Sequence, residues 1–301
     1  SPTLSLGNTT LTNAGTASAD IFIAKYDPAG TTIWAKSAGG SGIDLCNSIA
    51  VDVNGNLIVA GRYTGATAIF GSAILTNASA GANDIFMVQY DASGALLWAK
   101  SAGGAGDDIA ECVSVDALNN SYITGSFNSL SVMFGSQLLS NTGTANDMFV
   151  AKYDNAGNVI WARSAGNTGA ESGYGVAADV NGNVFVTGVF DSPSISFGTT
   201  QISNAGYSDF FLVKYDALGA VSWAYAAGSQ YDDVGLSVCT DISGNVYATG
   251  KYSGNTLTFG SVSLTNSYAG THDFFVVKHD PAGNQLWALS AGAAGDEVGN
   301  D

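Results

Sequence analysis

Short runs of apolar, β-prone residues, each closed by a turn signal, fill the chain, and no stretch shows helical periodicity. Ile21 to Tyr26 is one such run. Asp27-Pro28-Ala29-Gly30 behind it has Asp, Pro and Gly at the first, second and fourth positions of a type I turn. A second strand passes through Ile33 and Trp34, the Gly-rich "SAGGSG" follows, and a third strand runs through Ile49 and Val51. Asn54-Gly55, a strong hairpin signal whose residues favour left-handed conformers, leads into Leu57 to Ala60. Next, "AIFGSAIL" carries Gly71-Ser72, a type II′ pair that returns as Gly135-Ser136, Gly198-Thr199 and Gly260-Ser261, and as Gly7-Asn8 near the start.

This pattern is repeated along the chain. "DIFIAKYDPAGTTIWAKSAGG" at Asp20 returns as "DIFMVQYDASGALLWAKSAGG" at Asp84, "DMFVAKYDNAGNVIWARSAGN" at Asp147, "DFFLVKYDALGAVSWAYAAGS" at Asp209 and "DFFVVKHDPAGNQLWALSAGA" at Asp273, a period of 62 to 64 residues. Four strands per repeat, apolar on both faces and joined by tight hairpins, predict antiparallel blades. A solenoid would stack coils of about 20 to 45 residues through parallel strands. The expectation is an all-β β-propeller of four-stranded antiparallel blades with an extra hairpin per repeat. It covers residues 1–301 as a single domain or a fragment of one, with repeats beginning near 20, 84, 147, 209 and 273. About five blades are expected; the ends fall mid-repeat, which favours an open fragment of a longer polypeptide.

Composition narrows the partners. Against 25 Asp and Glu stand 9 Lys and Arg, a formal charge of −16, which repels phosphate backbones and anionic lipids. Nucleic acid and membrane insertion are therefore not expected, and no apolar run approaches the about 20 residues of a membrane helix. Low total charge (11%) with 39 Gly suits an exported, turn-rich β protein. Cys46, Cys112 and Cys239 form no metal or disulfide pattern and read as small buried thiols.

Candidate chemistry sits in the turns and links. "VDVNGN" at Val51 resembles part of a calcium loop, but the distal Glu of an EF-hand is absent, "DALNN" at Asp116 lacks the Gly, and a turn is the better reading. Strand parity places the D-to-A links and the extra hairpins at one end of the blades. Each link carries an acid, Asp44, Asp108, Glu171, Asp233 and Glu297, with Asp107, Asp232 and Asp296 beside three of them. Arranged around a propeller axis, the five would form a weak calcium site; the plainer reading is solvated or backbone-capping acids. The five Trp (Trp34, Trp98, Trp161, Trp223 and Trp287) read as packing between blades rather than sugar platforms. Tyr26, Tyr90, Tyr153 and Tyr215, with His279 in the fifth repeat, read as strand-end packing, and Lys25, Lys152, Lys214 and Lys278 as snorkelling side chains.

"SIAVDVNGNLIVAGRYTG" and "DIFIAKYDPAGTTIWAKSAGG" resemble the bacterial seven-bladed β-propeller (SBBP) repeat family, over nearly the whole chain. That resemblance implies an exported or cell-surface protein, of a kind frequent in Bacteroidetes, with no common reaction. The chain departs from the family in its extra hairpin and in having five units. With two histidines, no G-x-S-x-G and no H-E-x-x-H, the sequence lacks the parts of a triad hydrolase or zinc enzyme. It points to a non-enzymatic extracellular binding or structural module of a larger adhesive protein, with a glycan or protein partner at the cell surface. A multivalent lectin and a glycoside hydrolase are the alternatives. No cofactor other than calcium is implied.

Overall fold

The computed structural model describes residues 2–15, 18–266, 268 and 270–300. A leading hairpin, β1 (Thr3–Leu6) and β2 (Thr9–Thr12), precedes the pair β3 (Ile21–Tyr26) and β4 (Thr32–Gly40). One order then recurs four times. The first blade is β5 (Asp44–Val51), β6 (Leu57–Tyr63), the hairpin β7 (Thr67–Phe70) and β8 (Ala73–Thr76), then β9 (Asp84–Tyr90) and β10 (Leu96–Ala102). The second is β11 (Asp108–Val115), β12 (Ser121–Phe127), hairpin β13 (Ser131–Phe134) and β14 (Gln137–Ser140), β15 (Asp147–Tyr153) and β16 (Val159–Ala165). The third is β17 (Glu171–Ala178), β18 (Val184–Phe190), hairpin β19 (Ser194–Phe197) and β20 (Thr200–Ser203), β21 (Asp209–Tyr215) and β22 (Val221–Ala227). The fourth is β23 (Asp233–Thr240), β24 (Val246–Tyr252), hairpin β25 (Thr256–Phe259) and β26 (Val262–Thr265), β27 (Asp273–His279) and β28 (Gln285–Ala291).

Each blade is a four-stranded antiparallel meander, A-B-C-D, as in β5-β6-β9-β10. The fold is thus the expected array of propeller blades, four complete ones behind a leading C–D pair. The inner strands β5, β11, β17 and β23 contact one another in succession, while β5 and β23 make no comparable contact, so the array is open. β9, β15 and β21 are buried along their whole length, which explains why their sequences are apolar at consecutive positions rather than alternating. The extra hairpin folds back onto its blade through one Phe. Phe70, Phe134, Phe197 and Phe259 lie 4.8, 4.9, 5.3 and 5.1 Å from the rings of Phe86, Phe149, Phe211 and Phe275 on the C strands.

Two local expectations are corrected. In the A–B turns only the Gly is left-handed (Gly55, φ 78°), with Asn119 (φ 63°) taking that role in "DALNN". Gly55 N–H donates to Asp52 O (3.0 Å), so this turn has the same build as the C–D turn, where Gly30 N–H donates to Asp27 O (2.9 Å). The cysteines, read as buried, are not: Cys46 and Cys239 are exposed and Cys112 is half-buried. They lie on inner strands β5, β23 and β11, and the two exposed ones are on the first and last of the series, which have an inner-strand neighbour on one side only.

Candidate functional site

The calcium-like motif is a turn. Asp52 Oδ1 accepts the N–H groups of Asn54 (2.9 Å) and Asn56 (2.8 Å), and its Oδ2 accepts the Asn56 side-chain amide at 2.8 Å. Asp116, Asp179 and Asp241 repeat this, and Asp27, Asp91, Asp154, Asp216 and Asp280 do the same in the C–D turns. Each Oδ1 takes two backbone N–H groups, and where an Asn stands four residues on its amide takes Oδ2 as well, so these carboxylates are used as caps. The A–B and C–D turns share one end of each blade: a Cβ on Gly55 or Gly182 would lie 3.6 Å from Ala92 or Ala217.

At the opposite end the link acids cap the chain as it enters each inner strand. Asp44 Oδ2 accepts Gly40 N–H (2.8 Å), Asp108 Oδ2 Gly104 N–H (2.8 Å), Glu171 Oε2 Asn167 N–H (3.1 Å), Asp233 Oδ2 Ser229 N–H (2.5 Å) and Glu297 Oε2 Ala293 N–H (3.1 Å). The capping half of the expectation therefore holds and the solvated half does not, because Asp44, Asp108, Glu171 and Asp233 are wholly buried. They sit one per junction along the array, because each inner strand starts beside the preceding blade's C strand.

Each has an acid neighbour that the sequence reading used only as a repeat marker. The backbone N–H of Asp44, Asp108, Glu171, Asp233 and Glu297 donates to the carbonyl just before Asp20, Asp84, Asp147, Asp209 and Asp273, at 2.7 to 2.8 Å. The second carboxylate likewise accepts from the end of its extra hairpin: Ala78 N–H to Asp84 Oδ2 (2.8 Å), Thr142 N–H to Asp147 Oδ2 (2.9 Å), Ala205 N–H to Asp209 Oδ2 (2.8 Å). Every junction thus holds one carboxylate from each blade. Burial, partly offset by these backbone donors and reinforced by the facing acid, pushes Asp44 and Asp84 up to about 6 and Asp233 to about 7. Glu171 is pushed up to about 7 by burial, against Ser192 and backbone donors. Asp209 rises to about 6 by burial, against its donor from Ala205. Among the described residues no three acids, histidines or cysteines converge, so each junction offers two carboxylates and no more. The signal for this second series was an Asp opening an apolar β run in all five repeats, a place where strand propensity disfavours it.

The Trp residues stitch blades at the turn end. Trp34, Trp98, Trp161 and Trp223 donate Nε1–H to Ala92, Asn155, Ala217 and Pro281 carbonyls in the next C–D turn, at 3.3, 3.1, 3.2 and 3.2 Å. The turn Gly lies on the indole: a Cβ on Gly94, Gly157, Gly219 or Gly283 would come within 3.0, 2.8, 2.7 or 2.9 Å of the ring. Lys25 and Lys214 donate to the same carbonyls (2.9 and 2.8 Å), as Lys152 does at 3.5 Å. Lys152 and Lys214 are buried rather than snorkelling, their heads over the Tyr122 and Phe185 rings.

One row of positions differs in kind from repeat to repeat. A bulge in every A strand leaves Asn47, Glu111, Tyr174 and Leu236 outside the A–B register. Asn47 Nδ2 donates to Ala110 O (2.9 Å) and Glu111 Oε2 (3.1 Å). Burial raises the Glu111 pKa and the Arg62 charge opposes it. Unequal side chains on the inner strands are what a single local site would need, and these four are partly or fully exposed.

No family model matches the chain. An uncharacterised WD repeat-containing protein of Acanthamoeba polyphaga mimivirus is 26% identical over 329 aligned positions, covering 89% of this chain and 24% of its own length. The regulatory protein FlaEY of Caulobacter vibrioides is 30% identical over 109 positions, 35% of this chain and 11% of its own. The chain thus spans at most about a quarter of the length of these curated relatives. WD repeats are propeller blades, in keeping with the four-stranded units seen here. A crystal structure of a protein of unknown function from Bacteroides caccae aligns over 93% of this chain and 97% of its own at TM-score 0.37 and 9% identity.

Proposed function

We propose that this chain is a non-enzymatic binding or structural module of an exported, cell-surface protein, folded as a single array over residues 1–301. One observation carries the reading: the Trp and paired acids of every repeat, and the Lys of most, are engaged by the neighbouring blade wherever one follows. Their repetition maintains a junction rather than a reaction centre. Catalysis needs unlike groups with separated pKa values in one place, whereas these junctions present the same pair again and again. The resemblance of the repeats to the SBBP family supports the export and surface location, and the acidic surface suits a glycan or protein partner rather than nucleic acid.

A structural module should yield repeat by repeat under load. Stretching single molecules should give steps of about 220 Å, the extended length of one 62 to 64 residue unit, and chromogenic glycosides should not be turned over. Turnover lost on one acid-to-amide change would replace this reading with that of a glycoside hydrolase. Strong signals on a glycan array that vanish in Glu111→Gln would place a lectin site on the inner bulges.

A further inference from the structure

The junction acids leave part of their hydrogen-bonding capacity unused, and unequally. In the Asp209–Asp233 pair both side chains are at least 99% buried, both Oδ2 atoms accept a backbone N–H, and both Oδ1 atoms are buried with no donor. Asp20 and Asp44 repeat the bonding, each Oδ1 again without a donor, with Asp44 wholly buried and Asp20 half-buried. There, a point at the Cβ position of Gly39 lies 2.7 Å from Asp44 Oδ2 and 3.1 Å from Asp20 Oδ1, so the two carboxylates converge on one bare glycine.

The Asp147–Glu171 junction is different. Thr142 Oγ1 donates to Asp147 at 2.9 Å and Ser192 N–H to Glu171 Oε1 at 3.3 Å, so both carboxylates are satisfied by protein. At the Asp84–Asp108 junction Ser129 serves Asp108, its hydroxyl at 2.6 Å and its N–H at 3.2 Å, and only Asp84 Oδ1 is left without a donor. The position of Ser129 and Ser192 is Gly65 and Gly254 in the two repeats whose inner-strand acid, Asp44 or Asp233, keeps a buried oxygen without a donor, so only there do both facing carboxylates have an idle oxygen.

Two buried like charges with idle oxygens require either a proton or a cation. A proton would need only one carboxyl, and an Asn at the other position would donate to it equally well. Asn is abundant in this chain, yet both positions are acidic in all five repeats, with Glu171 and Glu297 keeping the charge while changing the side-chain length. Charge is what the junction retains.

We propose that the Asp209–Asp233 and Asp20–Asp44 pairs each bind a divalent, oxygen-preferring cation of calcium's class, which bridges one blade to the next. Two carboxylates match the charge of such an ion, and backbone carbonyls or water would complete its shell at an affinity of about 10⁻⁴ to 10⁻³ M. The proposal is independent of the functional reading above, since an enzyme or a lectin could carry the same junctions.

Calorimetry of the metal-stripped full chain with calcium chloride at pH 8 tests it. Wild type should take up two equivalents and show a higher melting midpoint in calcium than in chelator. Asp233→Asn and Asp44→Asn should each lose one equivalent, while Asp147→Asn should keep both; circular dichroism confirms that each variant is folded. The proposal is overturned if wild type gives neither heat nor a midpoint shift at several millimolar calcium, if folded Asp233→Asn binds as wild type does, or if the midpoint responds to acidification alone. A response equal in sodium and calcium chloride would also overturn it, as a screening effect.

Discussion

His279 is the chain's only departure from Tyr at the end of a C strand, and it makes one repeat acid-labile. Its ring is wholly buried, 6.1 Å from the Trp223 ring and 4.8 Å from that of Tyr225, and neither ring nitrogen has a partner. Burial, weakly opposed by the Asp280 charge, lowers its pKa to about 4. The unfolded chain, with an ordinary histidine at about 6.5, binds the proton more readily. Stability from this group is therefore intact above about pH 6.5 and is lost as the pH falls toward 4. At pH 5 the two pKa values give a penalty of about 2 kcal/mol, and at pH 8 almost none. Tyr153 and Tyr215 fill the equivalent position buried, with Tyr215 at 6.1 Å from Trp161, so His279→Tyr places a side chain the fold already accommodates. The raised junction carboxylates drive stability the opposite way with pH, but they are common to both proteins and cancel in the difference. Urea melts of wild type and His279→Tyr at pH 5 and pH 8 should show the variant about 2 kcal/mol more favoured at the lower pH, and thermal melts a matching shift of roughly 4 °C for a chain of this size. A difference between the proteins that is the same at both pH values would refute the reasoning, since it would mean that His279 titrates alike in the folded and unfolded chains.

The blade junctions allow three further tests. Trp161, 4% exposed and held between Tyr122 and Tyr215, should cost about 3 to 5 kcal/mol as Trp161→Ala, whereas Trp287, 36% exposed, should cost less than half that; equal losses in denaturant melts would reject packing against a following turn as the role of the indole. Gly157→Ala and Gly30→Ala share the strain of a positive φ, about 1 kcal/mol, but only the first drives a Cβ to 2.8 Å from Trp98. Gly157→Ala should therefore unfold at clearly lower urea, and coincident midpoints would count against the contact. Asp52→Ala removes three local hydrogen bonds and should destabilise by about 1 to 3 kcal/mol without changing calcium uptake; a lost equivalent of calcium would return "VDVNGN" to the metal ligands.

Strands, turns and the repeat were legible because their signals are local: Asp27 through Gly30 specifies its turn without help from the rest of the chain. The junction was not, because Asp209 and Asp233 meet only once the start of a C strand is known to lie beside the start of the next inner strand. Lys214 was misread for a similar reason. A lysine near the end of a strand ordinarily reaches for water, and only the neighbouring blade supplies the Pro281 carbonyl that holds it. Trp287 could not be told from Trp161 by sequence, since the difference lies in whether another turn covers it. The exposed Cys46 and Cys239 followed from openness of the array, which no residue pattern encodes.

The grip of Trp on the following turn has a direction. Each blade extends an indole forward and receives one on the glycine behind, so the fold has a socket at one end and a plug at the other: Trp287 stands partly uncovered, and the glycine of the first turn, Gly30, has nothing within 4 Å of its Cβ position. Because every joint is made from the same two parts, a duplication or deletion of one whole unit of 62 to 64 residues leaves all remaining joints intact. Unequal recombination within such a gene changes reach and valency without having to invent an interface, so the length of the array is free to vary while its blades stay the same.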